Sequence, residues 1–370
     1  MAEHLELEEL MICALKRDFK SDQAQGFISR YFSVKDKLYN ELLSWIRANE
    51  PMLSDHGPGH IDNVLNNAYQ LLAKEAKSLA DNDKNIAKYK GIDLYILCMS
   101  ILFHDVGNFF QRKFHNQNIP NVLNDLFSQF FYGEFSRAKT HIVSAGRAHA
   151  GKNTEGGKDT LKYVSETEHC GGVEVQLRDI AAIVRLADEL AEGPQRTCQY
   201  MSSKKKITPE SEIYHRYASC THIGIDAKNG RIILTYEIEL NFDVNQNMSK
   251  ADREKLKEFL EFIHERIFKL DQERKYCGFY CETLKSIKET QVSFNFLNQG
   301  LSVDFKREPL VLNDLTVPGD KAKNIIEGRD DLKIDCVINE LANSLSSMSL
   351  QPKTSEKDDN CEDRSMQKSS

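Results

Sequence analysis

Apolar residues recur at helical spacing through the first half of the chain. Leu7, Leu10, Met11, Ala14 and Leu15 form one stripe and predict a short leading helix that closes at Lys16, Arg17 and Asp18. Ser33 with Asp36 resembles a capping box, and Leu38, Leu42, Trp45 and Ile46 repeat behind it, so a second helix is expected from there to Pro51. The breaker-rich turn Ser54-Asp55-His56-Gly57-Pro58-Gly59 delivers His60 onto the first turn of a third helix carrying Ile61, Val64, Leu65, Ala68 and Leu72. After a polar link at 81–85, a nearly unbroken apolar run from Leu94 to Phe103 predicts a helix buried on most faces. It ends in His104 and Asp105, just before Gly107, a glycine that can stop a helix. Further helices are expected beyond Pro120, with Val122, Leu123, Leu126 and Phe127, and from Glu134 to Ala150, bearing His141 and His149. Val175 to Ala191 completes the set, with Asp188 interrupting the small apolar stripe of Ala181, Val184 and Ala191.

The pattern changes after Thr197. His222 to Ile225 and Arg231 to Leu240 alternate like strands around Asn229-Gly230, a hairpin turn signal. A long helix is expected from about Lys250 to Ile287, broken near Gly278, and Val292 to Phe296 alternates again. Near Asn343 the pattern fades into Ser, Lys, Asp and Glu with little to bury. The expected fold class is therefore mainly α: a helical domain over 1–200, a smaller mixed α/β domain over 201–342 and a disordered tail over 343–370.

Bulk composition narrows the function classes. A length of 370 residues suits two domains, and a net charge of -7 gives no overall attraction for nucleic acid or an anionic membrane. Lys204-Lys205-Lys206 reads as a solvated loop. No window approaches the roughly 18 to 20 apolar residues of a membrane span, and the N-terminus lacks a signal pattern. The nine cysteines are odd in number and form no paired CxxC elements, which points to reduced thiols in a cytoplasmic or nuclear protein. The glycine-bearing loop from Gly151 to Thr160 lacks the order of a nucleotide P-loop.

The chemistry concentrates where polar groups meet apolar helix faces. An ionised carboxylate such as Asp105 at the end of a buried helix is costly unless compensated, and a metal ion with neighbouring imidazoles compensates it fully. His60, the pair His104 and Asp105, and Asp188 come from three separate predicted helices. Together they make a mixed nitrogen and oxygen set suited to Mn, Mg, Fe, Co, Ni or Zn, with coordination positions left open for water and a substrate oxygen.

Gly59-His60-Ile61-Asp62, Phe103-His104-Asp105-Val106-Gly107 and Arg185-Leu186-Ala187-Asp188 stand in the order found in the HD superfamily of metal-dependent phosphohydrolases, which the chain resembles from His56 to Thr197. The resemblance implies an all-helical fold with its site between helices, and metal ligands at His60, His104, Asp105 and Asp188. It implies further imidazoles at His141 and His149, serving a second metal or donating a proton to the leaving group. In some cyclic-nucleotide-cleaving relatives a histidine at the offset of His56 is the general acid, although Gly57-Pro58-Gly59 intervenes here. Relatives often carry a lysine where this chain has Asn108. Arg112, Lys152 and Arg196 are the nearest cations for binding phosphate, Arg being favoured by its bidentate geometry.

The expected activity is metal-dependent hydrolysis of a phosphate ester of a nucleotide or related compound. The mixed domain would cover one end of the cleft or build a homo-oligomer interface. The alternative is a nucleotide-sensing or scaffold module that keeps the fold and metal without hydrolysis, and binding to nucleic acid is disfavoured by the acidic balance.

Overall fold

The computed structural model describes residues 4–49, 56–72, 88–110, 112–152, 156–197, 208–243, 248–314, 326 and 328–348. The predicted link at 81–85 and Lys204 to Lys206 lie outside these residues. Helix α1 (Glu6–Asp18) buries the stripe of Leu7, Leu10, Met11, Ala14 and Leu15. Helix α2 (Ser21–Lys37) runs without interruption through a π-helical stretch (Leu38–Leu43) into α3 (Ser44–Asn49). Ser33 is thus interior to a helix and is not a cap. The wider turn rotates the apolar stripe: Leu38, Leu42 and Leu43 are buried, whereas Trp45 is 60% exposed.

Helix α4 (Pro58–Leu71) starts with proline in its first turn and buries His60, Ile61, Val64, Leu65 and Ala68. Every residue of α5 (Gly91–Phe103) is buried; contrary to the expectation from the sequence, the run continued to Phe109 is long and apolar enough by composition to cross a membrane, but 94% of its most apolar window is buried inside the protein as a core element. Helix α6 (His115–Phe127) begins five residues before Pro120, earlier than expected. Helix α7 (Ser136–Ala148) follows, with His149 as its C-cap. The helical layer is interrupted by a hairpin, β1 (Glu168–Cys170) with β2 (Val173–Val175), turned by Gly171 and Gly172 at positive φ, before α8 (Leu177–Glu189). An all-helical first region and a helix starting at Val175 are both corrected by this hairpin, whose three-residue strands give too little alternation to read.

Helix α9 (Pro209–Cys220), unread in the sequence, leads into the second layer. There β3 (Thr221–Asp226) pairs antiparallel with β4 (Arg231–Glu239) across the Asn229-Gly230 turn, in which Gly230 has φ +70°. Strand β4 then pairs parallel with β5 (Glu289–Asn298), Leu234 opposite Val292, and the connection is the 31-residue α10 (Lys250–Tyr280). Strands β6 (Leu301–Ser302) and β7 (Leu310–Asn313) add antiparallel edges to β5. Ile232, Leu234, Tyr236 and Ile238 alternate into the core, as period-two patterning requires. The last described helix, α11 (Ile334–Met348), continues past the expected fade at Asn343, with Leu345 still buried. One apolar cluster contains Leu7, Ile101, Val184, Leu234, Ile263 and Leu345, joining the helical layer and the sheet in a common core.

Candidate metal centre

Three elements aim four side chains at one point. His60 comes from the first turn of α4, His104 and Asp105 from the end of α5, and Asp188 from the last turn of α8. His60 Nε2 lies 3.4 Å from His104 Nε2, 3.2 Å from Asp188 Oδ1 and 3.6 Å from Asp105 Oδ2. His104 Nε2 is 3.4 Å from Asp105 Oδ2 and 3.5 Å from Asp188 Oδ1. Donor atoms about 3.4 Å apart are what ligands at ~2.1 Å from a common ion require, so the set fits a divalent metal. The four residues could hold such an ion.

A second set shares Asp105. Its other oxygen, Oδ1, lies 3.2 Å from His115 Nε2 and 3.7 Å from His149 Nε2, and those two nitrogens are 3.0 Å apart. This trio could also hold an ion. The Asp105 carboxylate thus presents one oxygen to each cluster.

The imidazoles are oriented by their own backbone. Nδ1–H of His104 donates to the carbonyl of Ile101 at 2.7 Å, that of His115 to Arg112 at 3.1 Å, and that of His149 to Gly146. In each case the acceptor is three residues back, and the hydrogen bond leaves Nε2 with its lone pair toward the cluster when the ring is neutral. Gly107 serves the same end. A Cβ there would stand 1.8 Å from the carbonyl oxygen of His115, so the short 3₁₀ turn after Asp105 can lie against the start of α6 only with glycine. Its role is close approach rather than helix termination.

Electrostatics complete the description. Burial, with the nearby Arg196, pushes His60 down to about 4, and burial also lowers His149, which favours the neutral rings that metal ligation needs. Burial would raise Asp105 and Asp188, yet the adjoining histidines hold both well below the usual carboxylate range. Burial acts to lower His104 as well, but Asp105 and Asp188 outweigh it and raise that ring. In the metal-free protein a proton on His104 therefore takes the place of the cation.

The clusters open into a cavity of about 640 Å³. Arg112 and Arg196 line it and converge on His56: Arg112 Nη1 donates to His56 Nε2 at 3.2 Å and Arg196 Nη2 lies 3.3 Å from the same atom. His56 Nδ1 is in turn 2.8 Å from Asp105 Oδ2. Asn108 lines the cavity too, with its Oδ1 buried and without a partner among the described residues.

Of the sequence-predicted residues, the structure therefore brings together His60, His104, Asp105, Asp188, His149, Arg112 and Arg196. It does not bring His141 there. Although buried on α7, His141 turns its Nε2–H to the carbonyl of His169 on β1, at 3.2 Å. Lys152 is exposed, and among the described residues it is not part of the cavity wall. His115 was missed because a helix start after Pro120 leaves it in a loop. Also unforeseen were Tyr214 on α9 and Arg266, Lys269 and Glu273 on α10, which wall the cavity from the second layer.

No curated protein and no solved structure matches the chain. A family model, described as HD-CE, matches residues 50–269, more than half of the chain and the whole of both clusters. With its histidine and aspartate sets arranged in this way, the chain belongs to the HD-CE family of HD-type domains.

Proposed function

We propose that the protein is a metal-dependent phosphohydrolase acting on a phosphate ester of a nucleotide or related compound. The observation that carries this reading is the division of the Asp105 carboxylate between two ligand sets at the floor of a cavity bearing two arginines. His60, His104, Asp105 and Asp188 would hold one divalent ion, and Asp105, His115 and His149 a second. When bound, such ions lower the pKa of water and polarise a phosphoryl group. Arg112 and Arg196 offer planar donors to the remaining phosphate oxygens and orient the ester. His56 lies between these arginines and Asp105; its Nε2 accepts from Arg112 and its Nδ1 faces Asp105, so once the substrate phosphate takes over the arginines Nε2 would be free to carry a proton to the leaving oxygen. That role goes to His56 instead of His141, which faces β1, or His149, which faces the second cluster.

The test is to measure metal content of the purified protein and phosphate release from a panel of nucleotides with Mn, Mg, Fe or Co. Turnover is expected in the wild type and loss of at least a thousandfold in His104→Ala plus Asp105→Ala. Turnover unchanged by that pair of substitutions refutes the reading. A second reading is favoured by Asn108, which stands where relatives often carry lysine: a domain that keeps metal and binds nucleotide without hydrolysis. Saturable nucleotide binding with no product over several metals would select it.

A further inference from the structure

The cavity is far larger than a phosphate group needs, and its outer wall comes from the second layer. On α9, Ser211, Tyr214 and His215 fall at the i, i+3, i+4 spacing that puts them on one helical face, and all three line the cavity. The charged groups of the opposite wall are held in ion pairs: Lys269 Nζ and Arg266 Nη2 share the Glu189 carboxylate at 2.7 and 3.4 Å. Glu273 is taken up by both ends of the Arg185 guanidinium, at 2.6 and 2.8 Å. This wall therefore keeps about one positive charge in excess, held against Glu189 and not aimed free into the cavity.

What it does offer is an aromatic face. Tyr214 is 56% exposed although it lines the cavity. Its ring is held edge-on by Phe262 at 5.4 Å and 88°. Its hydroxyl makes no hydrogen bond to a described residue, and with one edge packed on Phe262 the ring is otherwise left exposed beside the cavity. A flat, neutral group with polar edges is the complement of such a surface.

We propose that Tyr214 is a specificity-determining residue that stacks on the nucleobase of a nucleoside phosphate whose phosphoryl group lies at the His and Asp clusters. The proposal rests on the phosphohydrolase reading for the position of the phosphate. It differs from that reading in requiring a base.

Nucleoside monophosphates, both 5′ and 3′,5′-cyclic, are compared with ribose 5-phosphate, which keeps the sugar and phosphate but lacks the base. In the wild type the nucleotide is expected to have kcat/KM at least about tenfold above ribose 5-phosphate. Tyr214→Ala should remove that preference by raising KM for the nucleotide about tenfold, with ribose 5-phosphate turnover unchanged, and Tyr214→Trp should retain it. Calorimetric titration with the same nucleotides, in the presence of Mn, reads the contact independently of turnover and should show the same order of affinities. Equal use of ribose 5-phosphate and nucleotide by the wild type overturns the inference while leaving the phosphohydrolase reading intact. So does a nucleotide preference that survives Tyr214→Ala. If neither ester is cleaved, the phosphohydrolase reading fails. Nucleotide binding weakened at least about tenfold by Tyr214→Ala then still supports the stacking role, and binding that is absent or unaffected rejects it.

Discussion

Arg185 and Glu273 meet as a two-pronged ion pair, Nε to Oε2 at 2.6 Å and Nη2 to Oε1 at 2.8 Å, and so fasten α8 to α10 three residues before the candidate ligand Asp188. The remaining nitrogen, Nη1, donates to the carbonyls of Ala148 and Ala150 at 3.3 and 3.0 Å and to Thr160 Oγ1 at 2.8 Å. Those two carbonyls flank His149. One guanidinium thus ties together the helix end that carries His149, the helix that carries Asp188 and the wall from the second layer.

Glu273→Gln should therefore cost about 3 kcal/mol of stability, because it leaves a buried guanidinium without its counter-charge. Urea denaturation reads the loss directly. Metal titration should show the set containing His149 weakened more than the set containing His60. Stability within about 0.5 kcal/mol of wild type would show that the pair is dispensable.

Metal binding should release a proton. The Asp105 and Asp188 carboxylates keep His104 protonated in the free protein, and a ligating ring must be neutral. Titration of the apoprotein with Mn in two buffers of different ionisation enthalpy should give about one proton released per first ion bound. Affinity should rise with pH as the proton becomes easier to displace. Identical heats in the two buffers would mean that His104 is neutral before the ion arrives.

Gly107→Ala is expected to cost about 1 to 3 kcal/mol through overpacking against the His115 carbonyl. Its sharper signature is stoichiometric. Displacing the start of α6 moves His115 but not α4 or α8, so the variant should retain the first ion and lose the second. Full occupancy of both sites, counted by elemental analysis, would contradict this account.

Asp93 supplies a pH dependence away from the cavity. Burial pushes its carboxyl up to about 6, in spite of the backbone N–H groups of Lys90 and Gln176 that donate to it. A folded-state value above the ordinary 3.8 means that the native protein holds this proton more tightly than the unfolded chain. The stability this contributes is fully present below the unfolded value and is lost as pH rises through about 6. Asp93→Asn should remove the dependence but, with one acceptor oxygen for the two backbone N–H groups of Lys90 and Gln176, should leave one of them unpaired and gain no stability over wild type at pH 7. Parallel stability curves for the two proteins between pH 4 and 7 would refute the assignment.

The sequence carried much of this candidate site because most of its His and Asp residues break strong patterns. His104 and Asp105 end an apolar run, and Asp188 interrupts a stripe of small residues, so each stands out against its helix. His115 stands out against nothing: it opens a helix whose apolar residues begin only at Ile119, immediately before Pro120. The π-helical stretch was hidden for a related reason, since a single widened turn shifts the phase of a stripe without removing it. Helix α9 escaped notice because Ile213, Tyr217 and Ala218 are too few among polar neighbours to declare a period. The pairing of Arg185 with Glu273 joins positions 88 residues apart and depends on how α8 meets α10, which local pattern does not encode.

The complete burial of α5 has a consequence for how relatives of this chain can diverge. A helix with no solvent face cannot be shifted without repacking its surroundings, so His104 and Asp105 sit at the least negotiable point of the fold. The opposing wall of α9 and α10 is different, with Tyr214 and Lys269 exposed at its surface. Substitutions there can reshape the wall of the cavity while the His and Asp clusters beneath stay in place. The outer wall can therefore vary many times over an unchanged floor.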